Sequence, residues 1–208
     1  MTEPGAPVVA IFDFDGTLTR SDTLLPFLLF LAGPWRLAVG AASAAPSLVG
    51  YAAGMVRNDA AKERLLTFML GGRTLSSVIE TAQRFAVERI PGLLRPEAMA
   101  RVRWHMDRGH RCIIASASLE LYIRPWAIRA GFSDVLATRM GVDIADRLTG
   151  RFDGCNCYGA VKVKRMRTLL TSTTRHEIHA YGDSRGDREL LACADFAYYR
   201  RFPTEQEP

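Results

Sequence analysis

Val8-Val9-Ala10-Ile11-Phe12-Asp13-Phe14-Asp15-Gly16-Thr17 decides how this chain is read. An apolar run rich in Val and Ile drives straight into two carboxylates one residue apart. Such a run predicts a strand buried on both faces, as in a parallel sheet. Asp13 and Asp15 then fall at its carboxyl end, where open α/β sheets bind ligands. Period-two alternation predicts both side chains on the same side of the strand end. Gly16 permits a sharp turn, and Thr17 offers a hydroxyl and a backbone N–H. Two carboxylates this close resist joint ionisation without a cation or a shared proton. They predict a metal site or an acid–base pair. For these residues alone, an ordinary strand followed by an acidic turn is the alternative.

The rest of the chain repeats the pattern. Arg111 to Ser118 is an apolar strand ending in small polar residues, and Asp134 to Thr138 and Glu177 to Tyr181 are two more. Helices are predicted over about 96–107, 119–130 and 160–171, started by Pro96 and ended by Gly109 and Gly131. Val142 to Ile144 and Thr149 to Phe152 read as a hairpin across Ala145-Asp146-Arg147, and Asp195 to Tyr199 as a last strand. Strands alternating with helices predict an α/β fold with a doubly wound parallel sheet. Pro91-Gly92 marks a boundary. Residues 1–20 and 91–208 are expected to form the core, and 21–90 a helical insertion.

That insertion opens unusually. Arg36 is the only formal charge between Asp22 and Arg57, and Leu37 to Val56 is twenty residues without one, broken by Pro46. Small Ala, Gly and Ser side chains let helices pack closely. Twenty helical residues also match a hydrocarbon layer of roughly 30 Å. Two readings of 24–56 therefore stay open: tightly packed cap helices, or contact with a membrane surface. Asn58 or Asp59 is placed to cap a helix ended by Gly71-Gly72, and a second helix runs over about 74–89.

The 208 residues suffice for one substantial core, and 48% hydrophobic with 24% charged residues describe a folded globular chain. The formal charge of +5 suits anionic substrates or a membrane surface. Its basic residues are scattered and form no nucleic-acid stripe, so no nucleic-acid partner is expected. Cys112 and Cys193 read as small core residues, and Cys155-Asn156-Cys157 lacks the further ligands of a zinc site. His105, His110, His176 and His179 show no ligand spacing and read as surface or strand-flanking residues. No basic leader precedes a long apolar run, so the cytoplasm is expected, with the inner membrane face as a peripheral location.

Four sites fall at strand ends or helix starts in chain order: Asp13 with Asp15, Ser116, Lys162, and Asp183 with Asp187. Together they resemble the four motifs of the haloacid dehalogenase-like superfamily, over roughly residues 8–20 and 91–202. The resemblance implies a Rossmann-like core with a type one α-helical cap, as in the phosphoserine phosphatase-like subfamily IB. It implies Asp13 as a nucleophile forming an aspartyl-phosphate, and Asp15 as acid and base whose backbone carbonyl also binds Mg²⁺. Superfamily dehalogenases and ion-pumping ATPases lack an Asp at that second position, so Asp15 favours a phosphatase. Ser116, with Ser118 as the alternative donor, would bond a phosphoryl oxygen. Lys162, in a G-x-x-K-V setting that Lys164 does not share, would offset charge on the nucleophile. Asp183 would bind Mg²⁺ directly, since hard oxygen ligands suit that ion. Asp187 would hold metal-bound water or Lys162.

The resemblance therefore implies a Mg²⁺-dependent phosphomonoester hydrolase acting on a small phosphorylated substrate. One departure stands out: Ser116-Ala117-Ser118 replaces the Ser-Gly-Gly of phosphoserine phosphatases. With the apolar cap, it argues against phosphoserine and for a substrate with an apolar part. A lipid-phosphate phosphatase similar to those of phosphatidylglycerophosphate, a phosphotransferase at a membrane surface, and a catalytically decayed membrane-associated binding protein are the alternatives.

Overall fold

The computed structural model describes residues 6–52, 58–170 and 175–203, with backbone alone at 43–52 and 58. The opening run forms strand β1 (Val8–Phe12). The other parallel strands are β2 (Arg111–Leu119), β3 (Asp134–Thr138), β6 (Glu177–Gly182) and β7 (Phe196–Tyr199), ordered β3-β2-β1-β6-β7. Parallel neighbours need crossover connections. Helices α5 (Pro96–Asp107), α6 (Glu120–Arg129), α7 (Ala160–Leu169) and α8 (Arg188–Ala192) supply them. Alternate residues of β1 serve opposite cores. Val9 and Ile11 cluster with Val163, Met166 and Leu190, while Ala10 and Phe12 join the larger core on the other face.

β1 stops at Phe12, before the carboxylates. The Asp13 N–H bonds the Tyr181 carbonyl at 2.9 Å, and the chain then swings into a wide turn closed by Thr19 N–H on the Phe14 carbonyl at 2.9 Å. Gly16 sits at φ 80° in that turn. Asp13 and Asp15 are therefore set by the turn and not by strand alternation.

Between β1 and β2 come α1 (Leu24–Ala52), α2 (Asn58–Leu70), α3 (Leu75–Glu88) and the single turn α4 (Ile90–Leu93). The break in α1 falls at Gly33 (φ 78°, ψ 169°), not at Pro46 as the sequence suggested. That conformation favours glycine, and the following proline is suited to a helix start. Close packing of small residues is real at Gly40, where a Cβ would stand 2.8 Å from the Phe68 ring of α2. α1, α3 and α6 share an aromatic seam. Phe27 lies 5.4 Å from Phe85 and 4.8 Å from Tyr122, centroid to centroid, and all three are fully buried.

The hairpin is β4 (Met140–Val142) with β5 (Leu148–Phe152), so its first strand starts earlier than expected. The Asp143 carboxylate accepts the N–H groups of Ala145 and Arg147, both at 2.9 Å, which turns the chain and leaves Ile144 fully exposed. The hairpin packs on α2: Glu63 accepts the Phe152 N–H at 2.9 Å. Cys193 is exposed, against the expectation of a core residue.

His105 and His179 are placed differently from expectation, because tertiary packing encloses them, whereas His110 flanks β2 as expected. His105 Nδ1 lies 2.8 Å from His110 Nδ1, and its Nε2 lies 2.9 Å from the Tyr181 hydroxyl, which accepts Arg101 Nε at 2.7 Å. His179 packs edge-on against His105 and bonds Glu177 at 3.0 Å. Burial first, then Arg101, His179, His110 and Arg108, push His105 down to about 2. The folded state thus binds fewer protons than the unfolded one below the ordinary histidine range. Stability is full above about pH 6.5 and falls on acidification, with His105 contributing up to about 1.4 kcal/mol per pH unit. His105→Gln, measured by urea unfolding at stepped pH between the two limits, should show a shallower acid slope than the parent. Equal slopes would mean that His105 is not held neutral.

Candidate active site

The carboxyl ends of β1, β2 and β6 converge with the start of α7. Lys162, 2% exposed, places its Nζ 2.6 Å from Asp13 Oδ1 and 2.6 Å from Asp187 Oδ1. Gly159 opens α7 with φ 57° and gives its N–H to the Gly186 carbonyl at 3.0 Å, which docks the lysine loop on the Asp183–Asp187 loop. Burial alone would strip the Lys162 proton, but Asp13 and Asp187 outweigh it and raise its pKa. Lys164, the rival, is exposed. Asp187 Oδ2 accepts the Ser184 N–H at 3.0 Å and its hydroxyl at 2.7 Å. Both oxygens of Asp187 are thus committed, one of them to Lys162.

Asp13, Asp183 and Asp187 bring carboxylate oxygens within 4.8 Å of one another. The Thr17 hydroxyl sits between Asp13 (3.3 Å) and Asp183 (3.5 Å). Three carboxylates face one ammonium, a deficit of positive charge that an oxygen-seeking divalent cation fits. The strain of this crowding is visible in the acids. Burial pushes Asp13 up to about 7, with Lys162 pulling down and Asp187 and Asp15 pushing up. Asp183 is raised by burial and then by Asp187. A Cβ at residue 16 would stand 2.3 Å from Asp183 Oδ2, so only glycine leaves that carboxylate its place.

The Asp15 carboxylate lies outside the cluster. Its Oδ1 accepts the Thr23 N–H (2.8 Å) and hydroxyl (2.6 Å), and its Oδ2 accepts the Ser118 hydroxyl. Thr23 is backed by the Tyr122 hydroxyl at 3.1 Å. Any share of Asp15 in a metal site falls to its backbone carbonyl. Burial, then Asp22, push its carboxyl up to about 6 against these hydrogen bonds. That suits a group exchanging protons near neutral pH. Ser116 Oγ accepts the Ser118 N–H at 3.0 Å, which leaves its own proton free to donate. Of the two serines, Ser118 is spent on Asp15 and Ser116 remains for the pocket.

The cavity above these groups is about 780 Å³. Leu24, Leu25 and Leu65 line it together with Arg20, Asp22 and Lys62. Lys62, from α2, reaches down to the Ala117 carbonyl at 2.7 Å, its pKa lowered chiefly by burial. Asn156 joins the walls, donating to Asp59 at 2.7 Å and accepting from Thr138 at 2.8 Å. Sequence reasoning missed Thr23, Tyr122 and Asn156, and offers Lys62 only as one of five charged residues of the insertion's second half, with Arg57, Asp59, Glu63 and Arg64, able to partner a charged substrate. A signal for Lys62 existed: the chain has three lysines among 27 Lys and Arg residues, and two of them point into this cavity.

Residues 10–192 match the family model of the haloacid dehalogenase-like hydrolases. The chain is 36% identical over 196 residues to Protein CicA of Caulobacter vibrioides, covering 94% of this chain and 87% of that protein. It is 26% identical over 204 residues to a probable phosphatase of Mycobacterium tuberculosis, covering 94% and 69%. A solved protein of unknown function from Bordetella pertussis Tohama I superposes with a TM-score of 0.77 at 25% identity, over 90% of this chain and 86% of that one. A substrate-bound phosphoserine phosphatase superposes with a TM-score of 0.58 at 14% identity, over 92% and 84%, a likeness of fold.

Asp183 and Asp187 share a loop but not an environment. Removing one member of a buried, hydrogen-bonded charge pair costs about 3–5 kcal/mol. Asp187→Ala should lose less, about 1–3 kcal/mol of unfolding free energy in chelator-treated protein, since Lys162 keeps Asp13 but loses its second carboxylate, and the Ser184 N–H and hydroxyl lose their acceptor. Asp183→Ala, which relieves carboxylate crowding, should lose less than about 1 kcal/mol. Equal losses in urea melts would contradict this division.

Proposed function

The chain belongs to the haloacid dehalogenase-like hydrolase family, and we propose that it is a phosphatase that hydrolyses phosphomonoesters with Mg²⁺ through an aspartyl-phosphate on Asp13. The observation that carries this reading is the Asp13 carboxylate, fixed between Lys162 and Thr17 beside Asp183. Held so, its rotamer is fixed before a substrate enters, which favours a positioned nucleophile. Asp13 attacks, the P–O bond to the leaving group breaks, and the departing oxygen takes its proton from Asp15. A water then attacks the same phosphorus, gives its proton back to Asp15, and Asp13 is released with inorganic phosphate. Ser116 donates to a phosphoryl oxygen, and Lys162 offsets charge on Asp13. Asp13, Asp183 and the Asp15 backbone carbonyl would hold Mg²⁺, which would supply positive charge opposite the phosphoryl oxygens, while Asp187 holds Lys162 in register.

Residues 21–90 act as the cap over the core formed by 1–20 and 91–208. The sequence suggested a cap opening with no charged partners for a substrate. Arg20 and Asp22, just before the charge-free stretch, nevertheless line the cavity with Lys62. We read the leaving group as amphiphilic: apolar where it meets Leu24, Leu25 and Leu65, polar or anionic where it meets Arg20 and Lys62.

Asp13→Asn should abolish Mg²⁺-dependent turnover of p-nitrophenyl phosphate without unfolding the protein, and a beryllium fluoride adduct should form on Asp13 of the parent. Asp15→Asn should cost about 10²–10⁴-fold on an alkyl phosphate and less on the aryl ester, whose leaving group needs no acid. Asp183→Asn should raise the Mg²⁺ requirement steeply. Full activity in Asp13→Asn, or an adduct on another residue, would sink the mechanism.

A further inference from the structure

Helix α1 does not hide its apolar side chains. Leu25 is 51% exposed, Leu29 44%, Trp35 83% and Val39 43%. Leu25 and Leu29 are one turn apart before the Gly33 break, and Trp35 and Val39 are one turn apart after it, so each segment presents a stripe. The stretch Leu24–Ala42 is apolar but for Arg36, in two helical segments joined at Gly33, yet only 22% of it is buried. A core helix of the same composition would be mostly covered.

Two further observations give the stripe a direction. First, it runs into the active site: Leu25 and Ala41 line the same cavity as Asp13 and Asp183. On its far side Leu29 borders a groove with Phe30, Pro34 and Leu93. Second, its border is cationic. The guanidinium carbons of Arg84 and Arg89 each lie 5.5 Å from the Phe30 ring, and that of Arg36 lies 5.8 Å from the half-exposed Phe68 ring. Arg20 stands at the cavity mouth. Of the carboxylates nearby, Glu88 is paired with Arg84 at 3.3 Å, which leaves the cations in excess. An exposed tryptophan in an apolar stripe edged by arginines matches the chemistry of an anionic bilayer surface, where indole rings settle at the headgroup level and each basic residue adds attraction.

We propose that the exposed stripe of α1, with its arginine border, docks this protein on an anionic phospholipid surface, and that its substrate is a phosphomonoester whose apolar part is anchored in that surface. This rests on the phosphatase reading above for the substrate, and on the surface alone for the docking. The docked stripe turns the cavity mouth toward the headgroups, so a lipid phosphate reaches Asp13 without leaving the bilayer.

The test is co-sedimentation of the full chain with vesicles of phosphatidylcholine plus phosphatidylglycerol, beside pure phosphatidylcholine. The p-nitrophenyl phosphate rate is read on the same samples. Parent protein should sediment with the anionic vesicles. A variant carrying Leu29→Glu and Trp35→Glu should bind at least about tenfold more weakly, because two exposed apolar contacts become charged. Arg84→Gln with Arg89→Gln should lose about fivefold per arginine. Both variants should keep the soluble ester rate, since none of these side chains lines the active-site cavity. In a second assay, a long-chain alkyl phosphate carried in the anionic vesicles should be hydrolysed more slowly by the Glu variant. Parent protein that ignores anionic vesicles, variants that bind as the parent does, or a parent dimer that the Glu variant splits without any vesicle binding would overturn the docking. Vesicle binding with no turnover of either ester would instead overturn the phosphatase reading and leave the docking standing.

Discussion

An ammonium group buried between two carboxylates holds this molecule's catalytic end together. Lys162 comes from the first turn of α7, Asp13 from the end of β1, and Asp187 from the loop after β6. None of the three charges tolerates burial alone, since an unpaired buried ion is far more costly than a paired one. Each therefore fixes the other two. The same contact aligns the sheet with its crossover helix and aims a carboxylate oxygen at the cavity. Chemistry and stability rest on one interaction, which explains why the glycines at 159 and 186 bring the two loops so close: a Cβ on Gly186 would stand 2.4 Å from the Tyr158 ring.

The second carboxylate is held by different means. Asp15 accepts from Thr23 and Ser118, and Ser118, with Ala117, is where the chain departs from the Ser-Gly-Gly pattern of phosphoserine phosphatases. The departure is thus not merely a crowding of the substrate pocket. It supplies the Asp15 carboxylate with an anchor that glycine does not offer. Ser116 keeps its proton for the cavity because the neighbouring backbone N–H fills its acceptor side.

Local signals carried most of the architecture. The β-branched runs at 8–12 and 111–118, the proline at 96 and the glycines at 109 and 131 announce their elements within a few residues of themselves. Asp13, Asp183, Asp187 and Lys162 were legible because each stands where a strand ends or a helix starts, and the parallel order brings such ends to one edge. What escaped depends on partners far along the chain. Thr23 meets Tyr122 across 99 positions, and the Ser118 bond to Asp15 spans 103. His105 looks like any surface histidine until α5, β6 and β7 close around it. The hairpin's first strand was misplaced by two residues because Asp143 spends its carboxylate on the turn, a choice that β-propensity at Val142 and Ile144 does not reveal.

The aromatic seam of Phe27, Phe85 and Tyr122 joins the insertion to α6 of the core along one wall of the cavity. Parting α1 and α3 from α6 would wet three large side chains, at about 1.5–3 kcal/mol each. That sum approaches the whole stability of an ordinary domain. On the opposite wall α2 buries Leu66, Met69 and Leu70, and it meets the core through two polar contacts: Lys62 to the Ala117 carbonyl and Asn156 to Asp59. Water replaces such bonds at little net cost. Solvent therefore competes for the contacts of α2 with the core, while the seam keeps α1 and α3 dry against α6.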